Sequence, residues 1–228
     1  MLHIAHRGAS GAYPENTLLA FRKALELGAT SFELDVQLAA DGELMVIHDE
    51  MLERTTDGVG LVSDYPAHEL RRLDAGCGER IPLLREVLEL VTGKLLVNIE
   101  LKGAATAGPT ARLLNELLAE GRLKRENLLV SSFDQAELRC FSRAQTGVRL
   151  AAVFEHLPLA ADLWEMVAGL GLWSIHFERS LLTAELVAAA QSRGVRVFAY
   201  TVNTQAERQR MRKLGVDGVF TDYPGLGG

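Results

Sequence analysis

The sequence has few cysteines, no long apolar run and fewer basic than acidic groups. Its two cysteines, Cys77 and Cys140, are far apart and match no zinc-binding or redox spacing. No apolar run approaches the roughly 18 residues that a membrane-spanning helix needs. The formal net charge of −6 disfavours nucleic-acid binding, which usually needs a basic face. We therefore expect reduced thiols, no stable membrane insertion and no nucleic-acid partner.

The first residues also lack the features of a secretory signal peptide. Leu2–Ala5 already has the composition of a strand that leads into a polar motif, and a cleaved leader would remove that motif. This pattern predicts a cytoplasmic protein. The net negative charge leaves an anionic substrate open, because a bound metal and a few cations can reverse the field within one cleft.

Short apolar runs alternate with longer segments of helical periodicity along the whole chain. The length of 228 residues suits one α/β barrel, which often uses about 200 to 250 residues as a single domain. The pattern predicts one domain over 1–228 with a (β/α)8 TIM-barrel fold and an extra strand at Glu43–His48. The predicted barrel strands are Leu2–His6, Thr30–Val36, Leu95–Leu101, Asn127–Ser131, Val148–Val153, Leu172–His176, Val195–Tyr200 and Asp217–Thr221.

Two parts of the chain depart from the regular alternation. The irregular segment at about 49–81 is long for a bare loop, so we interpret it as an inserted subdomain after the second barrel strand. After Pro224 too few residues remain for an eighth helix, so the insertion or another chain covers that flank, or the barrel leaves it thinly covered. A homo-oligomer is therefore left open. The predicted helices are 16–27, 83–92, 109–121, 135–145, 160–169, 183–193 and 204–213.

Charged and imidazole side chains lie at the ends of four consecutive strands, where a barrel places its active site. Single carboxylates are usually exposed, but here Glu33 and Asp35 are two residues apart on one strand and share a face. With Glu100 they would repel one another in one cavity unless a cation were present. An all-oxygen ligand set suits Mg²⁺ or Ca²⁺. The residues at these ends are His6, Arg7, Glu33, Asp35, His48, Glu100 and Lys102.

Two of the histidines have the surroundings expected for acid–base work. His6 and His48 each end a strand beside a charged residue, and the usual histidine pKa near 6.5 allows either proton transfer. Arg7 and Lys102 supply positive charge for a phosphodiester oxyanion. Isolated histidines are more often structural, and we assign that role to the others: His3, His68, His156 and His176.

The order and spacing of the polar motifs resemble those of the glycerophosphodiester phosphodiesterase family, from near the first residue to the last. The similarity is specific because many separate motifs recur in sequence. They are Ile4–Gly8, Pro14–Thr17, Phe32–Val36, Val46–Asp49, Leu52–Thr56, Ile81–Leu83, Asn98–Lys102, Ser132–Asp134, Thr201–Asn203 and Thr221–Pro224.

This resemblance implies metal-dependent hydrolysis of a small glycerophosphodiester to sn-glycerol 3-phosphate and an alcohol such as choline, ethanolamine or glycerol. It implies metal ligation by Glu33, Asp35 and Glu100, with Mg²⁺ or Ca²⁺ as the ion. His6 and His48 would be the acid and base. The substrate contacts implied by the motifs are Arg7, Lys102, Phe133, Tyr200 and Asn203.

Several points remain open from the sequence. Tyr200 stands where the family usually has tryptophan, which leaves the preferred alcohol open. The residues do not decide which histidine is the acid, or whether water attacks directly or opens a cyclic phosphate. A lysophospholipase D-like enzyme would share the motifs and need an apolar entrance at 49–81. A non-catalytic phosphodiester-binding protein is disfavoured because every expected site residue is present.

Overall fold

In the described part of the chain, nine strands form one sheet, and eight of them close into a parallel barrel. The computed structural model describes residues 1–91, 95–144 and 146–225. Strand β1 pairs in parallel with both β2 and β9, which closes the ring, whereas β3 pairs antiparallel with β2 outside it. The predicted TIM barrel is confirmed. The strands are β1 Leu2–His6, β2 Ser31–Leu38, β3 Leu44–Val46, β4 Leu96–Leu101, β5 Leu128–Ser132, β6 Arg149–Phe154, β7 Ser174–Glu178, β8 Arg196–Tyr200 and β9 Gly218–Thr221.

Helices follow the barrel strands and cover their outer faces. The predicted helices 83–92 and 135–145 reach residues 92 and 145, which lie outside the described residues. No helix of the described ranges has the length and hydropathy needed to cross a membrane. The helices are α1 Leu18–Glu26, α2 Ala67–Leu70, α3 Leu84–Leu88, α4 Ala107–Ala119, α5 Gln135–Arg143, α6 Ala160–Leu170, α7 Ala184–Gln191 and α8 Gln205–Leu214, with 3-10 turns at Val62–Asp64 and Arg125–Asn127.

Helix starts follow local capping chemistry. The Thr17 side chain accepts a hydrogen bond from the Ala20 amide at the start of α1. Thr204 and Glu207 form a reciprocal capping box at the start of α8. Such caps satisfy backbone amides that have no partner within the helix. They place the polar loops between strand and helix in fixed positions at one end of the barrel.

Apolar side chains fill both faces of the barrel wall. Strand β2 is buried along almost its whole length, as expected for a strand covered by helices outside and by other strands inside. The interior of the barrel is a small cluster separate from the large layer between strands and helices. Its fully buried members are Ile4, Leu129, Ala151, Phe198 and Phe220.

The segment between β3 and α3 forms the expected insertion after the second barrel strand. It contains α2, one 3-10 turn and an isolated bridge between Met51 and Leu61. With Ala39, which directly follows β2, and Met45 of β3 it buries its own apolar cluster, separate from the barrel cores. That cluster consists of Ala39, Met45, Ile47, Leu52, Val62, Ala67, Leu70, Ala75 and Ile81. The assignment of 1–228 to a single domain stays a prediction, and residues 226–228 of it lie outside the described ranges.

No helix follows β9 in the described chain, which there ends at Gly225. The segment after β9 is instead held to α8, because the Arg208 guanidinium donates to the Tyr223 carbonyl at 3.0 Å. The short remainder of the chain, 226–228, lies outside the described residues.

The turn after β1 depends on a glycine. Gly8 has a φ of 83°, and a Cβ on it would lie 2.6 Å from the backbone carbon of Ala20 in α1. A side chain is therefore excluded by conformation and by space. The close approach is fixed by the Ala9 amide, which donates to the Ala20 carbonyl at 3.0 Å. Glycine thus lets the loop that follows His6 lie directly against α1.

We expect Gly8→Ala to destabilise the protein more than Gly42→Ala. Both glycines have positive φ, near 86° for Gly42, so both alanines incur a left-handed strain of about 1–2 kcal/mol. At Gly8 the added Cβ would also clash with the Ala20 backbone, and this overpacking costs about 1–3 kcal/mol. At Gly42 nothing lies within 4 Å of the added Cβ. Urea unfolding measures both losses. Equal losses would contradict the close approach to α1.

Candidate active site

A cavity of about 210 Å³ opens at the carboxyl ends of the barrel strands, where TIM-barrel enzymes have their active sites. It exceeds the roughly 150 Å³ cavity that accommodates benzene in an engineered protein core. Most of the residues singled out in the sequence line it. They are His6, Arg7, Glu33, Asp35, His48, Glu100, Lys102, Phe133 and Tyr200.

Three carboxylates meet in this cavity. Glu33 and Asp35 point from β2, and the strand register places Asp35 opposite Glu100 on β4. One oxygen from each lies within 4.8 Å of the others, and the residues are only 2%, 1% and 8% exposed. The structure therefore brings together the three residues that the sequence predicted as metal ligands.

Arg7 and Lys102 compensate the negative charge of the cluster only in part. Burial, and then the neighbouring Asp35 and Glu100, raise the pKa of Glu33 well above its usual value despite Arg7. Burial and Asp35 likewise raise the pKa of Glu100 to about 7, although Lys102 opposes the shift. Ligand distances of about 2.0–2.6 Å would let one ion reach all three carboxylates. The oxygen donors, their spacing and their charge thus fit Mg²⁺ or Ca²⁺.

Arg7 is the cation nearest the two carboxylates of β2. Its backbone amide donates to Glu33 Oε2 at 3.0 Å, and its Nε lies 3.2 Å from Asp35 Oδ2 as an ion pair without hydrogen-bond alignment. Burial alone would lower the pKa of Arg7, but Asp35, Glu33 and Glu15 raise it overall. The φ of Arg7 is 56°, a strained conformation of the kind found at functional sites.

A chain of ion pairs continues from Arg7 to the insertion. Glu15 accepts from Arg7 Nη1 at 2.8 Å and from both terminal nitrogens of Arg54 at 2.8 Å. Burial alone would raise the pKa of Glu15, but these two guanidinium groups lower it to about 2. Arg54 also binds Asp49 through two nitrogens. Bidentate arginine–carboxylate pairs fix geometry strongly, so this series of ion pairs holds the insertion to the barrel rim.

His6 is oriented by a carboxylate from the last barrel strand's loop. Its Nδ1 lies 2.7 Å from Asp222 Oδ1, and the other Asp222 oxygen accepts from the Asn203 amide at 2.6 Å. Ser10 adds a hydroxyl donor at 3.1 Å. Burial alone would raise the pKa of Asp222, but His6, Asn203 and Ser10 lower it. An ionised Asp222 accepts the Nδ1 proton, which leaves His6 Nε2 as the ring nitrogen free for chemistry.

His48 has a parallel arrangement next to the insertion. Its Nδ1 lies 2.5 Å from Asp49 Oδ1. The hydrogen bond from Arg54 is the main reason that the pKa of Asp49 falls to about 2. Burial is the largest influence on His48 and lowers its pKa; Asp35 and Asp49 oppose this shift, whereas Arg7 and Lys102 add to it. Asp49 therefore keeps a negative charge beside a largely neutral imidazole.

The opposite wall of the cavity is aromatic. The rings of Phe133 and Tyr200 lie with centroids 6.1 Å apart at 85°. Lys102 Nζ is 3.1 Å from Glu100 Oε1 and 4.6 Å from the Phe133 centroid. The ammonium group of Lys102 therefore lies at the boundary between the ionic and aromatic walls.

His176, interpreted from the sequence as structural, is buried in the floor of the cavity. Its Nε2 lies 2.9 Å from Ser174 Oγ, and its ring stacks on Phe198 with centroids 5.1 Å apart. Burial lowers its pKa to about 3. These contacts give the neutral ring a packing role.

Asn203 lies beside the cavity, bound to Asp222, and its predicted contact with substrate stays a prediction. Its side chain does not line the cavity; it binds the Asp222 side chain and accepts from the Asp222 amide at 2.9 Å. Asparagine has a donor and an acceptor on one amide, and here both are used to fix Asp222. Asn203 therefore fixes the position of Asp222, the carboxylate that binds His6.

Sequence reasoning assigned no role to several residues that the structure places around the site. Asn16 donates to Asp35 Oδ2 at 2.8 Å, and Asp222, Asp49, Glu15 and Arg54 form the networks described above. All five belong to motifs that are recognisable in the sequence. Their roles depend on contacts between distant segments, for which the motifs alone contain no signal.

Comparison with known proteins identifies the family. The model of the glycerophosphoryl diester phosphodiesterase family matches residues 6–226. A glycerophosphodiester phosphodiesterase of Caldanaerobacter subterraneus subsp. tengcongensis is 40% identical over 232 residues, covering 98% of this chain and 94% of the relative. A glycerophosphodiester phosphodiesterase of Bacillus altitudinis is 39% identical, covering 96% and 94%.

A solved structure shows the same architecture. It is an Oleispira antarctica phosphodiesterase in complex with the product sn-glycerol-3-phosphate. The TM-score is 0.91 at 32% identity, with 99% of this chain and 94% of the other covered. The family match spans nearly the whole chain, and the barrel, insertion and polar cavity agree with it. The chain belongs to the glycerophosphoryl diester phosphodiesterase family, whose members are phosphoric diester hydrolases.

Proposed function

We propose that the protein hydrolyses small glycerophosphodiesters to sn-glycerol 3-phosphate and an alcohol. One observation carries the proposal: three buried carboxylates, two carboxylate-paired histidines and two cations converge on one cavity. The names of the relatives and the product bound to the Oleispira antarctica structure support this substrate class.

Glu33, Asp35 and Glu100 would hold a divalent cation, Mg²⁺ or Ca²⁺. When bound, such an ion supplies Lewis-acid stabilisation of negative charge on phosphate and hydroxyl oxygens. The carboxylates would contribute orientation and charge balance. Arg7 fixes the two acids of β2 through its amide and guanidinium group, so it prepares the ligand geometry as well as offering positive charge.

The histidines would move the protons. With Nδ1 held by Asp222 or Asp49, each imidazole directs Nε2 toward the substrate. One removes a proton from the attacking hydroxyl or water, and the other protonates the leaving alcohol. Lys102 lies between Glu100 and the Phe133 ring. It would stabilise the negative charge that develops on phosphate oxygens. Direct water attack and a cyclic phosphate remain alternative routes.

The test is an assay of purified protein with sn-glycero-3-phosphocholine and Mg²⁺ or Ca²⁺, followed by enzymatic detection of sn-glycerol 3-phosphate. We expect product formation, and faster turnover than with lysophosphatidylcholine. The exposed apolar side chains of the insertion, Met51, Val59 and Leu61, are not among the residues that line the cavity, which favours the small substrate over one with an acyl chain. Faster cleavage of lysophosphatidylcholine would favour a lysophospholipase D-like enzyme instead, and no cleavage of either would favour a binding protein.

Metal removal should stop turnover and lower stability in a pH-dependent way. The raised pKa values of Glu33 and Glu100 mean that the metal-free fold favours protonated carboxyls. Its stability should therefore be highest near pH 5 and fall as pH rises through about 7. We expect Mg²⁺ or Ca²⁺ to raise the melting temperature more at pH 8 than at pH 5, because protons compete with the ion.

Glu33→Gln is the matched variant for this experiment. It keeps the shape of the side chain but removes one ligand charge, so the metal-free protein should gain melting temperature while the metal-induced increase shrinks. Calorimetry with and without chelator measures both. Full turnover after exhaustive chelation, or an unchanged metal response in Glu33→Gln, would contradict the metal site.

Replacing His6 or His48 by alanine should each reduce turnover about 10²- to 10⁴-fold. The double variant should lose far less than the product of the two losses, because both residues serve one proton relay. A nitrophenyl phosphodiester has a leaving group that needs little protonation, so it should partly rescue only the variant that lacks the acid.

His68→Ala is the control, since His68 is exposed on α2 and outside the cavity. It should keep wild-type turnover. Equal rescue of both single variants by the nitrophenyl ester, or of neither, would count against separate acid and base roles.

A further inference from the structure

The cavity has two unlike walls. The wall formed by β1, β2 and β4 with the loop that bears His48 is ionic, whereas β5, β6, β8 and β9 contribute Phe133, Val153, Tyr200 and Phe220. A phosphodiester has two ester arms. If the phosphate and the attacking group, glycerol hydroxyl or water, lie at the ionic wall beside the histidines and carboxylates, the arm of the leaving alcohol extends toward the aromatic wall.

One carboxylate interrupts this aromatic wall. Glu155 directly follows β6, lines the cavity and is exposed. It forms no hydrogen bond or ion pair with any residue in the described ranges. Glu178, at the end of the next strand, is instead bound by Arg179 at 3.0 Å and by Ser180. Glu155 therefore presents an uncompensated negative charge on the side where the leaving alcohol would lie.

The hydroxyl of the neighbouring Tyr200 already has a hydrogen-bond partner, which fixes the position of the ring. Tyr200 Oη donates to the Phe154 carbonyl at 2.8 Å, and burial followed by the nearby Glu155 raises the pKa of Tyr200. The hydroxyl thus remains protonated and satisfied. The wall offers aromatic surface and a carboxylate, but the Tyr200 hydroxyl is not free to donate to a polyol.

We propose that Glu155 and the ring of Tyr200 form a subsite for a positively charged alcohol of the choline or ethanolamine kind. An ammonium group is attracted both by a carboxylate and by the face of an aromatic ring. Phe133 already has the Lys102 ammonium near its ring, and Phe220 is buried against the His176 and Phe198 rings. Among the phenylalanine and tyrosine rings of the described cavity lining, this leaves Tyr200 for a second cation. Glu155 acts as a specificity-determining residue, because the reacting atoms lie at the opposite wall. The inference rests on the proposed function.

The experiment compares kcat/KM for sn-glycero-3-phosphocholine, sn-glycero-3-phosphoethanolamine and sn-glycero-3-phosphoglycerol. The first two carry a cationic alcohol and the third a neutral one. We expect the wild-type protein to prefer the cationic esters. Glu155→Gln removes only the charge, and it should lower the ratio of cationic to neutral kcat/KM about two- to fivefold, as expected for an exposed ion pair.

Two matched variants separate this effect from general charge or packing changes. Glu165→Gln makes the same charge change on an exposed residue of α6 outside the cavity, and it should keep the wild-type ratio. Tyr200→Leu removes the ring and should also lower the ratio, whereas Tyr200→Phe keeps the ring and should preserve most of it. Melting temperatures of all variants verify that each is folded.

The outcomes are distinguishable. If all three esters are hydrolysed and Glu155→Gln leaves the ratio unchanged, the subsite is rejected while the proposed function stands. A wild-type preference for the neutral ester rejects the subsite as well. If no ester is hydrolysed with metal present, the proposed function fails, and the subsite that rests on it fails too.

Discussion

The burial of three carboxylates at one point in the barrel is the constraint on which the rest of the site depends. Glu33, Asp35 and Glu100 are nearly inaccessible, and burial followed by mutual repulsion raises the pKa values of Glu33 and Glu100. Such a cluster is costly in a fold unless positive charge lies near it. Arg7 and Lys102 provide part of that charge, and the remaining deficit matches a divalent cation. The positions of the surrounding loops follow from keeping these cations close.

Much of this arrangement could be predicted from the sequence because strands and strand ends have simple periodicity. The two-residue spacing of Glu33 and Asp35 places them on one face of β2 in any register. The barrel then fixes which ends meet, since parallel strands in a closed ring direct their carboxyl ends to one side. The family match independently supports the same fold.

The groups that orient the histidines could not be predicted in the same way. Asp222 binds His6 although the two are 216 residues apart in the sequence. Arg54 of the insertion binds Glu15, which is 39 residues away. Such contacts depend on barrel closure and on the packing of the insertion, which local periodicity does not encode. Asn203 shows the same limit: its motif marked it as part of the site, but only the structure shows that it holds Asp222. Side chains that support other side chains have no spacing signature of their own.

The separate apolar cluster of the insertion has a consequence for how this protein can change. Residues such as Leu52, Val62 and Leu70 pack with one another and not with the main barrel core. The exposed residues of the insertion rest on this cluster, so substitutions among them alter the surface that approaching molecules meet without repacking the large barrel core. The Arg54–Glu15 contact keeps this unit docked at the rim. Selection can therefore reshape the entrance and the barrel as two modules, so that new preferences arise without loss of the underlying scaffold.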